Sequence, residues 1–328
     1  MKQRDVGIDL LKIICIVAVV ALHTQRCTTS GTVFNPVLYY GSRFAMPVFF
    51  MVNGYLILNR DSFSVEYYKK KILNIVRILV TWGIISAFFS LIIMKDSVGA
   101  AIKNGIKCID AHYIVPFWFL FTFIAIYTFL VFGFGFIKKN LKKLIIVLAT
   151  VCIMIDVFSM FSILGGGYFL QSNVPQRYRL WTWMFYFLLG YYLGKIDFKN
   201  INEKYLWASV ILTTIVAVSY QYLLCFKHLG KINSEFCYDN ILVMLWSISI
   251  YLAFRAHLFK HEKMIESIGK HCFGVFLLHE YFSKCFLLTE RINGALQAFI
   301  VWCGLCIICW VITWVLSKIP LIERAFRY

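Results

Sequence analysis

The sequence has little charge for its length. Only 15% of its 328 residues are Asp, Glu, Lys or Arg, whereas 61% are hydrophobic. A soluble domain has roughly a quarter charged residues, so this composition excludes a soluble globule, which would lack the polar side chains to cover its surface. It also excludes intrinsic disorder, a coiled coil and collagen. The sequence therefore predicts an all-α, polytopic membrane protein, and its 18% of aromatic residues suits membrane interfaces.

Other features are also missing from the sequence. It has no linker, low-complexity tract or convincing internal repeat, and no small-residue cleavage site follows the first apolar stretch. The eleven cysteines do not form a disulfide framework, because several lie inside apolar runs. Cys303, Cys306 and Cys309 have the spacing of an iron–sulfur motif but lack its fourth cysteine and following proline. We therefore predict one membrane domain over residues 1–328, no metal site and no permanently bound cofactor.

About ten segments are long and apolar enough to span a bilayer as helices of ~20 residues. Lys and Arg residues are about twice as frequent in the loops on the side that holds both termini. Because cytoplasmic loops are enriched in these residues, both termini are predicted to be cytoplasmic, and the net charge of +17 reflects topology rather than nucleic-acid binding. The predicted spans are residues 8–24, 38–58, 72–94, 114–136, 144–163, 180–195, 205–226, 240–254, 270–289 and 294–317.

Three ionisable side chains lie in the first predicted span, where charge is costly and marks functional candidates. Lys12 and His23 are eleven residues apart, so they share one helical face with ~16 Å between them along the axis. Asp9 precedes Lys12 by one turn and would partly neutralise it. The structural alternatives are snorkelling of Lys12 to the interface and a polar helix cap by His23.

The second predicted span is interrupted by Arg43, Pro47 and Asn53. Pro47 removes a backbone hydrogen bond, so a kink is predicted there. Arg43 would enter the membrane from the outer side, at about the depth of His23. It is a candidate for binding an anionic or polyhydroxyl group, and anchoring at lipid headgroups is the alternative.

The ninth predicted span contains His279, ~14 Å from its cytoplasmic start and near the bilayer centre. A histidine at this depth requires a hydrogen-bonding partner, so it faces protein or water. It is either functional or a contributor to helix packing alone.

Two further signals are weaker. Gly190 and Gly194 form a small-xxx-small pattern, which indicates helix packing rather than catalysis. Asp156 is a lone carboxylate in the fifth predicted span, and we expect it to pair with a cationic neighbour.

Five stretches of the sequence, in this order, resemble the integral-membrane acyltransferase 3 family, whose members mostly O-acylate cell-surface carbohydrates. In that family the first-helix motif is usually an Arg followed, after about ten residues, by a His. Lys12 keeps the positive charge of that Arg without the guanidinium fork. The sequence resembles the stand-alone type, which lacks a fused extracytoplasmic or racemase domain. The matching stretches are 7–12 with His23, 43–55, 117–120, 187–191 and 268–279.

The resemblance implies a multi-pass enzyme of a bacterial cytoplasmic membrane. It would move an acetyl group from cytoplasmic acetyl-CoA to a hydroxyl of a cell-surface or lipid-linked carbohydrate, with no nucleic acid as partner. The predicted catalytic residues are His23, as general base or transient acyl carrier, together with Arg43 and His279.

Binding roles are predicted for the remaining candidates. Lys12 and Asp9 would bind the acyl-CoA donor, and Arg43, Trp118 and Asn53 would bind the acceptor.

Two other classes of protein remain open on the sequence. A transporter or exporter of a glycan or small polar molecule would also place polar residues at mid-membrane depth. A receptor or scaffold without chemistry would leave His23, Arg43 and His279 unexplained.

Overall fold

The computed structural model describes residues 5–27, 36–107, 117–198, 201–257, 262–287, 295–323 and 326. These residues are mainly helical and contain no β-strand, which confirms the all-α prediction. The described helices are α1 (Val6–Cys27), α2 (Pro36–Tyr40), α3 (Ala45–Leu58), α4 (Val65–Ile92), α5 (Val98–Lys107), α6 (Trp118–Lys139), α7 (Leu141–Leu164), α8 (Leu180–Leu193), α9 (Glu203–Gln221), α10 (Ile241–Ala256), α11 (Glu262–Gly269), α12 (Cys272–Leu287), α13 (Ala295–Leu316) and α14 (Pro320–Glu323).

The helices have the lengths and composition of a multi-pass membrane protein. Every predicted span overlaps at least one of them, but α8, α10 and α12 are shorter than the ~20 residues that a span requires. The count of ten and the cytoplasmic location of both termini therefore stay predictions. Residues 114–116, 288–289 and 294 of the predicted spans lie outside the described residues. Within the described ranges, seven segments are long and apolar enough to cross a membrane: Val6–Thr24, Pro36–Leu58, Val65–Ile92, Trp118–Lys139, Leu141–Leu164, Glu203–His228 and Ala295–Leu316.

The predicted kink at Pro47 is wrong, because the second span is broken earlier in the chain. Helix α2 ends at Tyr40, residues 41–44 form a turn, and α3 begins at Ala45. Pro47 lies in the first turn of α3, where a helix does not use the missing N–H. The break therefore precedes Pro47, and Arg43 lies within it.

The chain folds as two compact units, neither of which is a continuous stretch of sequence. Unit 1 comprises Met1–Arg26, Phe34–Ser62 and Gly135–Lys270, and unit 2 comprises Cys27–Val33, Phe63–Phe134 and His271–Tyr328.

Helices α3 and α8 pack closely against each other in the core of unit 1. A Cβ atom on Gly54 of α3 would overlap the backbone of Phe187, and one on Gly190 of α8 would overlap the backbone of Met51. The two backbones approach this closely only because neither glycine has a side chain. This confirms the interpretation of Gly190 as a helix-packing residue.

Two described helices of unit 2 lie outside the predicted spans, the longer α5 and the one-turn α14. The sequence predicts a loop after the third span, but this segment includes α5, which packs against α4. A Cβ atom on Gly105 of α5 would lie 2.7 Å from the carbonyl oxygen of Gly83 of α4. Helix α5 is too short to span a bilayer, so a search for spans does not find it.

Candidate functional site

Helix α1 carries three of the predicted site residues on one uninterrupted helix of unit 1. Lys12 Nζ lies 3.1 Å from Asp9 Oδ1, and the side chains are 27% and 2% exposed respectively. The predicted pairing of Asp9 with Lys12 is therefore present. His23 is half-buried near the other end of α1, on the face of Lys12 and ~16 Å from it along the axis.

Close packing around the start of α1 explains the burial of Asp9. A Cβ atom on Gly269 of α11 would lie 3.1 Å from the Asp9 Cβ atom, and one on Gly7 would lie 2.5 Å from the Phe254 carbonyl oxygen of α10. Because a buried carboxylate is costly without a partner, the ion pair with the ammonium group of Lys12 offsets part of the cost of burying Asp9.

Arg255 lies at the same end of unit 1 as the start of α1. It forms an ion pair with Asp5, which directly precedes α1. Its guanidinium also lies 4.6 Å from the ring centroid of Tyr55 and donates a 3.3 Å hydrogen bond to the Gly194 carbonyl oxygen. A Cβ atom on Gly194 would overlap the Tyr55 ring, so this glycine is also a packing residue, as predicted.

Two lysines extend this basic region at the ends of α6 and α8. Lys195 Nζ donates to Asn59 Oδ1 at 2.7 Å, and Lys138 Nζ donates to the Arg60 carbonyl oxygen at 2.6 Å. Both ammonium groups also lie near the ring of Tyr191, at 5.3 and 5.8 Å from its centroid. The end of unit 1 that is predicted to be cytoplasmic thus presents several cations close together.

The helix break in the second span buries Arg43, which is 4% exposed. Its Nη2 donates to Tyr39 OH and, at 3.1 Å, to Asn233 Oδ1. Its Nη1 donates to Tyr238 OH at 3.4 Å and lies 3.8 Å from Glu235 Oε1. Anchoring at lipid headgroups is therefore excluded. Its Nε is also buried and has no hydrogen-bond partner among the described residues, so this N–H is an unsatisfied donor.

The contacts of Arg43 predict a large stability effect. We expect Arg43→Met to lower the free energy of unfolding by about 3 kcal/mol, because it removes the buried hydrogen bonds of the guanidinium and its ion pair with Glu235. Thermal unfolding of the detergent-purified protein measures the loss. The control is Arg177→Met, because the guanidinium of Arg177 is only partly buried, over the ring of Tyr178. Equal stabilities of the two variants would contradict the structural role of Arg43.

The structure buries a second arginine, Arg179, for which the sequence predicts no role. Its guanidinium donates to the carbonyl oxygens of Val174 and Glu235, both at 2.9 Å, and of Gln171 at 2.6 Å. Burial lowers the pKa of Arg179, and the nearby carboxylates of Asp239 and Glu235 oppose that shift. Arg43 and Arg179 therefore both hold the segment around Glu235. No local pattern distinguishes Arg179 from an ordinary loop arginine.

Asp156 has an amide as its partner, so the expectation of a cationic neighbour is wrong. Asn240 Nδ2 donates to Asp156 Oδ2 at 2.8 Å and lies 3.1 Å from Tyr220 OH. This group is a buried polar contact between α7 and the start of α10.

The two remaining candidates for acceptor binding lie in different units. Asn53, half-buried on α3 in unit 1, donates from Nδ2 to the Phe49 carbonyl oxygen at 2.9 Å. Trp118 begins α6 in unit 2, with its ring edge-on to Phe119 at 6.4 Å between centroids. The acceptor roles of both residues stay predictions.

His279 is fully buried on α12 of unit 2. Its Nδ1 lies 2.6 Å from the Phe276 carbonyl oxygen. Because a carbonyl oxygen only accepts, Nδ1 carries the hydrogen, and a neutral ring then has its lone pair on Nε2. The predicted need for a hydrogen-bonding partner is met. The adjacent Glu280 is also buried and was not assigned a role from the sequence.

The cysteine-rich segment lies within α13 of unit 2. Cys303 and Cys306 are half-buried and Cys309 is buried, on a helix that is apolar enough to cross a membrane. This confirms the interpretation of the segment as membrane helix.

Comparison with known proteins identifies the family. The family model of acyltransferase 3, described as an acyltransferase domain, matches residues 5–318. No curated protein and no solved structure matches the chain. The matched region covers nearly the whole chain and includes every candidate residue, from Asp9 to His279. The chain therefore belongs to the acyltransferase 3 family and is a membrane acyltransferase.

Proposed function

We propose that this acyltransferase is an O-acetyltransferase of a bacterial cytoplasmic membrane. It moves an acetyl group from cytoplasmic acetyl-CoA to a hydroxyl of a cell-surface or lipid-linked carbohydrate. The observation that carries the proposal is the geometry of α1, which places a paired cation near one end and an imidazole on the same face near the other. Their ~16 Å separation suits the extended pantetheine arm of the donor.

In the proposed reaction His23 acts as the general base. Its imidazole accepts the proton of the acceptor hydroxyl while the hydroxyl oxygen attacks the thioester carbonyl carbon. The carbon–sulfur bond then breaks, and the leaving sulfur takes the proton from the imidazolium, which yields the ester and free CoA. In the variant with a transient carrier, an imidazole nitrogen attacks the thioester carbonyl carbon, the carbon–sulfur bond breaks, and CoA leaves with the ring proton. The hydroxyl oxygen then attacks the acetyl-imidazole, the carbon–nitrogen bond breaks, and the hydroxyl proton returns to the ring.

Arg43 and His279 are the other proposed catalytic residues. Arg43 would bind the acceptor or stabilise the oxyanion through its Nε–H, since its terminal nitrogens are engaged by protein groups. His279 has the tautomer of a base, with Nδ1 committed to a carbonyl oxygen.

The cations near the start of α1 are proposed to bind the phosphates of acetyl-CoA. Lys12 is more exposed than Asp9, its partner in the ion pair. Arg255, Lys195 and Lys138 lie at the same end of unit 1. Several cations close together raise the local concentration of an anionic substrate.

Substitution of Lys12 tests the donor site. We expect Lys12→Met to raise the KM for acetyl-CoA about tenfold, the equivalent of roughly 1.4 kcal/mol, with a smaller change in kcat. Lys12→Arg keeps the charge and should stay close to wild type. Because Lys12→Met also removes the ion pair with the buried Asp9 carboxylate, the double variant Asp9→Asn with Lys12→Met separates lost stability from lost binding. An unchanged KM in both Met variants would rule out Lys12 as a donor-binding residue.

One experiment separates the enzyme from the exporter. The gene is deleted and restored, and the surface glycan is analysed by mass spectrometry. An O-acetyltransferase predicts that deletion removes an ester-linked acetyl group while the glycan is still present outside. Loss of the glycan itself would instead support an exporter and refute the proposal.

A further inference from the structure

Two buried thiols face each other at the end of unit 1 that holds Arg43. The Sγ atoms of Cys225 and Cys237 are 3.8 Å apart, and both residues are at most 1% exposed. Cys225 lies on the π-helical turn Tyr222–His228, and Cys237 lies on the 3-10 turn Glu235–Asp239. The two turns therefore bring together cysteines that are separated by a short segment, residues 226–236.

This segment supplies several of the groups that hold Arg43. Asn233 accepts a hydrogen bond from the guanidinium, and Glu235 lies within ion-pair distance of it. Tyr40, at the end of α2, donates its hydroxyl hydrogen to the carbonyl oxygen of Ile232 at 3.0 Å. Any link between Cys225 and Cys237 would therefore fix the segment that positions Arg43.

The compartment decides whether such a link forms. In the orientation predicted from the loop charges, Lys227 and Lys231 are on the outer side of the membrane. Disulfides form and persist outside the cytoplasm. We propose that Cys225 and Cys237 are a disulfide-forming pair, which cross-links residues 225 and 237 after this segment reaches the exterior.

The chemistry is thiol–disulfide exchange with an exterior disulfide oxidant. One cysteine thiolate attacks the oxidant's disulfide and forms a mixed disulfide, releasing one thiol. The second cysteine thiolate then attacks the protein sulfur, forms the new S–S bond and releases the second thiol. The two sulfurs must approach to ~2.05 Å, which requires movement of side chains that already touch.

Burial sets the time at which the reaction occurs. Burial raises the pKa of the Cys237 thiol, and the thiolate is the reactive form. Exchange is therefore fast before the segment packs and slow afterwards. Once packed, the disulfide would be shielded from reductants in the same way.

Trapping of the thiols in cells tests the proposal. Cells are quenched with acid, free thiols are alkylated under denaturing conditions, and the protein is digested with trypsin without reduction. We expect fragments 205–227 and 232–255 to be linked, at a mass below their sum by the hydrogens lost on oxidation. Reduction before alkylation should separate them and leave both cysteines alkylated.

Single substitutions provide the controls. Cys225→Ser should leave Cys237 alkylated without reduction, whereas Cys152→Ser, which changes another buried cysteine of unit 1, should leave the link intact. Reduction should also lower the melting temperature of the wild-type protein. Full alkylation of both cysteines in unreduced wild type, even after treatment with oxidised glutathione, would overturn the proposal. None of these measurements depends on acyl transfer, so they test the disulfide independently of the proposed enzymatic function.

Discussion

Replacement of His23 by Ala is expected to reduce acetyl transfer by about 10²- to 10⁴-fold, the usual contribution of a general base. The loss should appear in kcat, with little change in the KM for acetyl-CoA, because donor binding is assigned to the opposite end of α1. The rate is measured with the purified protein in detergent or liposomes, by release of free CoA. His23→Ala should keep the wild-type melting temperature within a few degrees, since the wild-type side chain is only half-buried.

Two other histidines complete this test. His279→Ala should also reduce kcat, but it removes a fully buried ring, so its melting temperature must be measured beside its activity. His228→Ala is the matched control, because His228 is exposed at the end of the π-helical turn. Full activity of a folded His23→Ala protein would refute the catalytic assignment. A trapped acetyl group on His23 would support the carrier mechanism over the general base.

Replacement of Gly190 by Ala is expected to abolish the native packing of unit 1. The added Cβ atom would overlap the backbone of Met51, and backbone atoms cannot move aside by a change of rotamer. We therefore expect a loss of about 3 kcal/mol or more, the upper end for overpacked cores. Yield of monodisperse protein and the melting temperature in detergent measure this effect.

The same substitution at another helical glycine provides the control. Gly135 lies on α6, and a Cβ atom there would meet nothing within 4 Å. Gly135→Ala should be neutral or stabilise the protein by about 0.5–1 kcal/mol, because glycine weakens a helix relative to alanine. If Gly190→Ala were as stable as Gly135→Ala, the close approach of α3 and α8 would be incorrect.

The helices themselves follow from the sequence, because a backbone in lipid must satisfy its hydrogen bonds within the segment. Long apolar runs therefore become helices whatever their detailed side chains. The short helix α5 does not follow, since it packs against α4 where Gly105 meets Gly83, and a hydropathy pattern does not specify that contact. The location of the break before Pro47 does not follow either, because a proline is tolerated in the first turn of a helix.

Within the candidate site, the sequence predicts only contacts between residues that are close together in the chain. The pairing of Asp9 with Lys12 follows from their spacing on one helix. The partners of Arg43 do not, because Asn233 and Glu235 are remote in sequence and meet it only after the chain has folded. A hydropathy pattern specifies which residues are buried but does not pair polar groups on distant segments.

The glycine contacts between α3 and α8 also constrain movement during turnover. In each helix a glycine packs directly against the backbone of the other helix. Neither helix can therefore slide or rotate alone without a steric clash. The pair must move as one rigid body, together with Arg43 at the head of α3. Any displacement of Arg43 during turnover would then also have to move the segment between Cys225 and Cys237, because Asn233 and Glu235 of that segment hold its guanidinium.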